Sequence, residues 1–176
     1  AERDTRADCG ADALCIGVKC GGSDGLSGLT ANPLVGRIAE QVVAHGGRAV
    51  LTEIPEAFGA ENVLLQRVVS REVFDATAAI FNEFRRYFTA RGEPLHENPS
   101  PGNIAGGITT LEEKSLGAVQ KGARAPVTAA LRYGERVSIP GLAVLEAPGN
   151  DAVSSTALAA AGANVILFTT GRGTPL

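Results

Sequence analysis

The chain has 176 residues, 44% of them apolar and 20% charged, with a net charge of -3; this is the composition of one globular domain and excludes a disordered or fibrous chain. No long basic run accompanies the acidic balance, so nucleic acid, which is bound mainly by Lys and Arg neutralising phosphates, is not an expected partner, whereas a small anion at a locally positive site is compatible. No stretch approaches the roughly 20 apolar residues that cross a bilayer, and Ala1 to Asp12 is polar rather than signal-like, so no membrane partner and a cytoplasmic location are expected.

Cys9, Cys15 and Cys20 are odd in number, crowded near one end and free of any CxxC pair, which fits neither a disulfide framework nor a structural zinc site. Ala13 to Lys19 reads as a short buried strand that passes into a glycine-rich loop at Cys20. Asn32 is placed to cap a helix with Pro33 at its first position, Ile38, Val42 and Val43 on its apolar face and Gly46-Gly47 as its end. Ala49 to Ile54 reads as a second strand. Ser70 then caps a long amphipathic helix in which Val73, Phe74, Ala78, Phe81, Phe84 and Phe88 recur at helical spacing, as a core stripe does.

Gly92 to Gly107 is rich in Pro, Gly and Asn and reads as a loop. A helix follows over Leu111 to Val119. Gly141 to Leu145 and Asn164 to Thr169 read as buried strands, with an Ala-rich helix from Ala152 to Ala161 crossing between them. The expected fold is α/β, a mainly parallel sheet flanked by helices and Rossmann-like, in one domain over residues 1–176 with a subdomain junction at 93–107.

Ligands of open parallel sheets bind beyond the carboxyl ends of the strands. Four polar loops follow predicted strands there: Cys20 to Gly28, Thr52 to Glu56, Ala147 to Asp151 and Thr169 to Thr174. Asp24, Glu53, Glu56 and Asp151 lie in these loops as oxygen ligands or bases, although a loop acid is also a common helix cap. Neither GxxxxGK[ST] nor GxGxxG occurs, so nucleotide and dinucleotide binding lack their fingerprint, and the absence of GxSxG removes an α/β-hydrolase nucleophile. His45 sits where a helix C-terminus favours a positive ring. His96, in the Pro/Gly loop, is either an acid/base group or an exposed side chain.

The segments CGGSDGLSGLTANP (20–33), TEIPEAFGAE (52–61), ENPSPGN (97–103), GGITTLEEKSLG (106–117) and FTTGRGTP (168–175) resemble the signature stretches of the altronate/galactarate dehydratase family. The likeness covers nearly everything from Leu14 onward. It implies a hydro-lyase, the central catalytic region of a longer enzyme whose N- and C-terminal segments would be partners of this one; homo-oligomerisation is compatible with it. The implied reaction removes water from a sugar acid, altronate in first place and galactarate in second, with a divalent metal, Fe2+ or alternatively Mn2+, as cofactor. A sulfolactate-cleaving β-elimination and a binding or scaffold fragment inactive alone are the competing readings.

Roles follow from motif positions under that resemblance. Cys20, Asp24 and Glu53 are the metal candidates, a thiolate with carboxylates suiting ferrous iron better than magnesium. Lys114 is the cation for the substrate carboxylate or enediolate, with Glu112 and Glu56 as catalytic acids or bases; Lys114 reads equally as a solvated helix lysine, and Glu53 as the partner of an arginine. Ser23, Thr30, Asn32, Asn98, Ser100 and Asn103 would bind the substrate hydroxyls, and Arg172 would clamp a carboxylate.

Overall fold

The computed structural model describes residues 5–95 and 98–176. Strands β1 (Cys15–Gly21), β2 (Arg48–Leu51), β3 (Val127–Leu131), β4 (Gly141–Leu145) and β5 (Val165–Thr170) form one sheet in the order β3-β4-β2-β1-β5, and every neighbouring pair is parallel. The predicted class, a parallel sheet flanked by helices, is the one observed.

Side chains alternate between the two faces of a strand, and each face has its own core. Ile16, Val18, Ala49, Leu51, Leu142 and Val144 pack against helices α1 (Ala31–Ala44) and α3 (Arg71–Thr89). On the opposite face Cys15, Val50, Ala143 and Leu145 pack against a later helix, α6 (Asp151–Ala160). The same alternation assigns Lys19 to the α6 face and Cys20 to the α1 face.

Strand boundaries differ from expectation in ways that matter for the site. β1 runs on through Cys20 to Gly21, so both Lys19 and Cys20 are strand residues. β2 stops at Leu51, and Ile54–Ala57 is a 3-10 turn entered through Glu53. α1 begins at Ala31, with Thr30 rather than Asn32 at its cap position, and Pro33 falls in the first turn, where a missing N–H leaves no bond unmade. β3 has no counterpart among the expected elements: its Val-Thr-Ala-Ala-Leu run has little strand preference of its own, and pairing along β4 decides its state.

Helix α3 starts at Ser70, whose hydroxyl oxygen accepts the Val73 N–H at 3.2 Å, and its buried side reads Thr77, Ile80 and Phe81, with Phe84 and Phe88 packed at the core margin and Phe74 exposed. A short α2 (Glu61–Leu65) precedes it. The expected loop before residue 107 contains α4 (Pro101–Ala105), closed by a reciprocal box in which Ser100 and Asn103 each accept the other's backbone N–H. That segment is tied to the loop after β1, Gly25 N–H donating to Gly106 O at 2.9 Å. His96 lies outside the described residues.

Helix α5 (Leu111–Val119) occupies the predicted span and continues into a 3-10 turn at Gln120–Gly122. Gly36 lets that turn approach α1, since a Cβ there would stand 2.1 Å from the Gln120 carbonyl oxygen. Arg67 holds the turn from the other side, donating to the carbonyls of Gly122 at 3.0 Å and Ala125 at 3.1 Å. Among the described residues no helix is long and apolar enough to cross a membrane.

Leu158 of α6 is without solvent exposure and covers Gly17 of β1. Leu158→Ala should therefore lower unfolding free energy by about 2–5 kcal/mol, read from the urea midpoint. A loss below about 0.5 kcal/mol would show that α6 does not seal this face.

Candidate active site at the carboxyl edge of the sheet

Because all five strands are parallel, the loops after β1, β2, β4 and β5 open on one edge. Two of them, after β2 and β4, meet at Lys19 of β1. Its ammonium, with no solvent exposure, lies 2.6 Å from Glu53 Oε1, past the end of β2, and 2.7 Å from Asp151 Oδ1, at the start of α6, and it stands 5.1 Å from the centre of the Phe168 ring on β5. Gly21 leaves the room for Asp151, since a Cβ there would stand 2.8 Å from both of its carboxylate oxygens.

Glu53 carries a left-handed backbone, φ 66° and ψ 53°, which a side-chain-bearing residue adopts at a cost of order 1–3 kcal/mol. Its carboxylate offsets that cost by joining two ammonium groups. Oε2 lies 2.5 Å from Lys121 Nζ and accepts the Cys20 N–H at 3.0 Å. Lys121 also donates to Cys20 Sγ at 3.0 Å.

Burial pushes the Cys20 thiol above its ordinary pKa and Glu53 adds to the effect, with Lys121 opposing. Burial alone would pull the proton from Lys121, but Cys20 and Glu53 against its ammonium more than offset that and raise its pKa. The Glu53 carboxylate favours the ammonium and disfavours the thiolate, so the pair rests as Lys121 ammonium and Cys20 thiol.

A second cluster stands beside the first. Lys114 Nζ lies 2.7 Å from Glu56 Oε2 and donates to Asn103 Oδ1 at 2.9 Å and to Asn98 Oδ1. The Glu56 contact is an ion pair without hydrogen-bond alignment, which leaves that buried oxygen with no hydrogen bond of its own. Asn103 in turn donates to the Ser23 carbonyl at 3.0 Å.

Cys20, Lys114, Ser23 and Asn32 share the wall of a cavity of about 310 Å3, between the loop after β1, the start of α1 and α5. That volume lies at the lower end of small-molecule sites. A larger hollow of about 430 Å3 lies at Phe84, Tyr87 and Tyr133, but the ionisable groups lining it are the acids Glu83 and Glu146, so it suits an anion poorly.

The predicted site residues divide accordingly. Cys20, Glu53, Glu56, Lys114, Ser23, Asn32, Asn98 and Asn103 are brought together. Asn32 is buried, donating to Gly117 O and accepting from the Thr169 hydroxyl. Ser100 acts on Asn103 as a cap, and Arg172 lies exposed against Gly102 and close enough to Asp24 to favour its charged form. Thr30 is exposed, its hydroxyl donating to Leu26 O. Glu112 is exposed and outside the cavity wall; Glu113 lines it instead, its carboxylate held by the N–H and hydroxyl of Thr109.

The expected metal set does not assemble. Asp24 turns Oδ1 to the N–H groups of Ser27 and Leu26, which hold its carboxyl below the usual range, the Ser27 bond foremost. Cys20 and Glu53 meet with the Lys121 ammonium between them. Among the described residues no three His, Cys, Asp or Glu side chains are placed to hold a metal ion, so Cys20, Asp24 and Glu53 do not fit a resident iron or manganese.

Lys19 and Lys121 are the residues that sequence reasoning missed. A signal was available: the chain has three lysines, Lys19, Lys114 and Lys121, against thirteen arginines, and all three lie in this site.

Residues 11–176 match the family model described as D-galactarate/Altronate dehydratase, C-terminal. The chain belongs to the D-galactarate/altronate dehydratase family. It is 56% identical over 175 residues to the altronate dehydratase of Bacillus subtilis (strain 168), covering 99% of this chain and 35% of that protein. It is 36% identical to the galactarate dehydratase (L-threo-forming) of Escherichia coli (strain K12), covering 97% and 32%, and 34% identical to the (2R)-sulfolactate sulfo-lyase subunit beta of Chromohalobacter salexigens, covering 96% and 44%. The chain thus spans about a third of the length of the dehydratases it matches, and within the family it corresponds to the C-terminal region rather than the expected central one.

Cys20 and Lys121 hold their protons more tightly folded than unfolded. Their contribution is complete below the unfolded thiol pKa and is lost as pH rises, because the unfolded thiol ionises above about pH 8.5 while the folded one stays neutral. The urea midpoint should fall from about pH 8 to about pH 10, and Cys20→Ser should flatten part of that fall; Cys15, also pushed up by burial, contributes as well. A midpoint unchanged over this range would contradict the assignment.

Proposed function

We propose that this chain forms the site of an enzyme that eliminates water from a sugar acid, altronate or a close analogue, to give a 2-keto-3-deoxy acid. The supporting observation is Lys114: an ammonium at the wall of a cavity large enough for a small acid, paired with a carboxylate on one side and two amide oxygens on the other. The higher identity to an altronate dehydratase than to the galactarate and sulfolactate enzymes favours the altronate branch.

The proton next to a carboxylate is weakly acidic, so its removal needs a base and a positive group where the enediolate charge develops. The substrate carboxylate takes the Lys114 ammonium and displaces Glu56. Freed of its ion pair, Glu56 is the group assigned to take the C2 proton. The electron pair moves into the C2–C3 bond as the C3 hydroxyl leaves as water with the proton that Glu56 took from C2, and the resulting enol gives up its C2 hydroxyl proton and gains one at C3 to become the 2-keto acid. Asn32, Asn98, Asn103 and Ser23 are the groups assigned to the sugar hydroxyls.

No step here is routed through a metal, and metal dependence is read directly in the assay. The test follows 2-keto acid release by the full-length protein carrying this region, with altronate, galactarate and sulfolactate supplied in parallel, under anaerobic conditions with ferrous iron and then with a chelator. Turnover should be highest with altronate, and Lys114→Met should lower kcat/KM by about 100- to 1,000-fold, the usual effect of removing one stabiliser of developing charge. Turnover of none of the three, or full activity in Lys114→Met, would sink the reading.

A further inference from the structure

The elimination leaves unexplained why Cys20, the thiol in the cavity wall, faces a lysine that is itself without solvent exposure. Cys20 Sγ and Glu53 Oε2 flank Lys121 Nζ at 3.0 and 2.5 Å, and the other Glu53 oxygen is taken by Lys19 at 2.6 Å. A thiol and a carboxylate converging on one point are donors that a soft divalent metal would take. We infer that this point is an internal cation site whose resident is the Lys121 ammonium rather than a metal ion, and that Lys121 is a positioning residue holding Cys20 and Glu53 beneath the cavity. The inference concerns the site used in the proposed elimination.

Three features carry it. Both Glu53 oxygens are engaged with ammonium groups and Oε2 also accepts the Cys20 N–H, so a metal would have to displace a lysine before finding a free donor. A dication would then sit beside two buried ammonium groups, where low dielectric magnifies their repulsion. Nor can Lys121 easily withdraw: its turn is pressed against α1 at Gly36 and gripped at the Gly122 and Ala125 carbonyls by Arg67. The result is an ammonium–carboxylate pair built into the protein behind the cavity wall, present whatever other groups the rest of the polypeptide supplies.

Cobalt(II) provides a readout independent of turnover, because a cobalt-bound thiolate absorbs in the near ultraviolet. Chelator-treated protein is titrated with cobalt(II), and the spectrum of the wild-type chain is compared with that of Cys20→Ser. The two should superimpose, whereas Lys121→Ala, which vacates the point between thiol and carboxylate, should gain a near-ultraviolet band at about one cobalt per chain that the added Cys20→Ser change removes. A wild-type band lost in Cys20→Ser would overturn the inference, as would a folded Lys121→Ala protein without any Cys20-dependent band. If Lys121→Ala does not fold, the comparison of wild type with Cys20→Ser still decides. A failed cobalt result leaves the elimination standing, and a failed dehydratase assay leaves the cation site standing.

Discussion

A lysine ammonium shut away from water keeps its charge only while carboxylates face it, and Lys19 imposes that requirement at the centre of the sheet. Its partners are Glu53 from the end of β2 and Asp151 from the start of α6, so one buried charge fixes the loops of two other strands relative to β1. Removing one member of such a pair leaves the other uncompensated, at a cost of about 3–5 kcal/mol. The geometry of the edge is thereby tied to the stability of the fold.

The rest of the site follows from that anchor. Glu53 keeps its left-handed backbone because two ammonium groups and the Cys20 N–H hold its carboxylate. Lys121 reaches the carboxylate from the turn after α5, and α5 also carries Lys114, so one helix and its extension deliver a buried cation and a cavity-wall cation. Three ammonium groups, Lys19, Lys114 and Lys121, face three carboxylates, Glu53, Glu56 and Asp151. The cluster is balanced, and its least bonded carboxylate is Glu56, whose buried oxygen has only the Lys114 charge beside it.

Much of the fold was legible because its signals are local. The continuous apolar run of β1 and the unbroken Gly141 to Leu145 run are what central parallel strands show, and Ser70 marked a helix start by side-chain chemistry. β3 was not legible, because pairing with β4 decides it. In the site, the glycine loops and the residues of the long motifs located Cys20, Glu53, Glu56 and Lys114, yet the same reading cast Cys20, Asp24 and Glu53 as metal ligands. In the structure those three side chains do not converge: Asp24 folds back on its own turn, and Lys121, more than sixty residues from Glu53 in the chain, lies between thiol and carboxylate. A contact of that sequence separation leaves no local trace.

The central claim is that all three lysines are held as paired ammonium groups at the carboxyl edge of the sheet. Lysine-selective nitrogen-15 labelling tests it directly, since ammonium protons exchange with water rapidly on the surface and slowly when buried and bonded to a carboxylate. The account predicts slowly exchanging ammonium signals from Lys19 and Lys121 in the wild-type protein at neutral pH, both lost or shifted together in Glu53→Gln. Lysine signals that all exchange at surface rates, or that ignore the loss of Glu53, would contradict it.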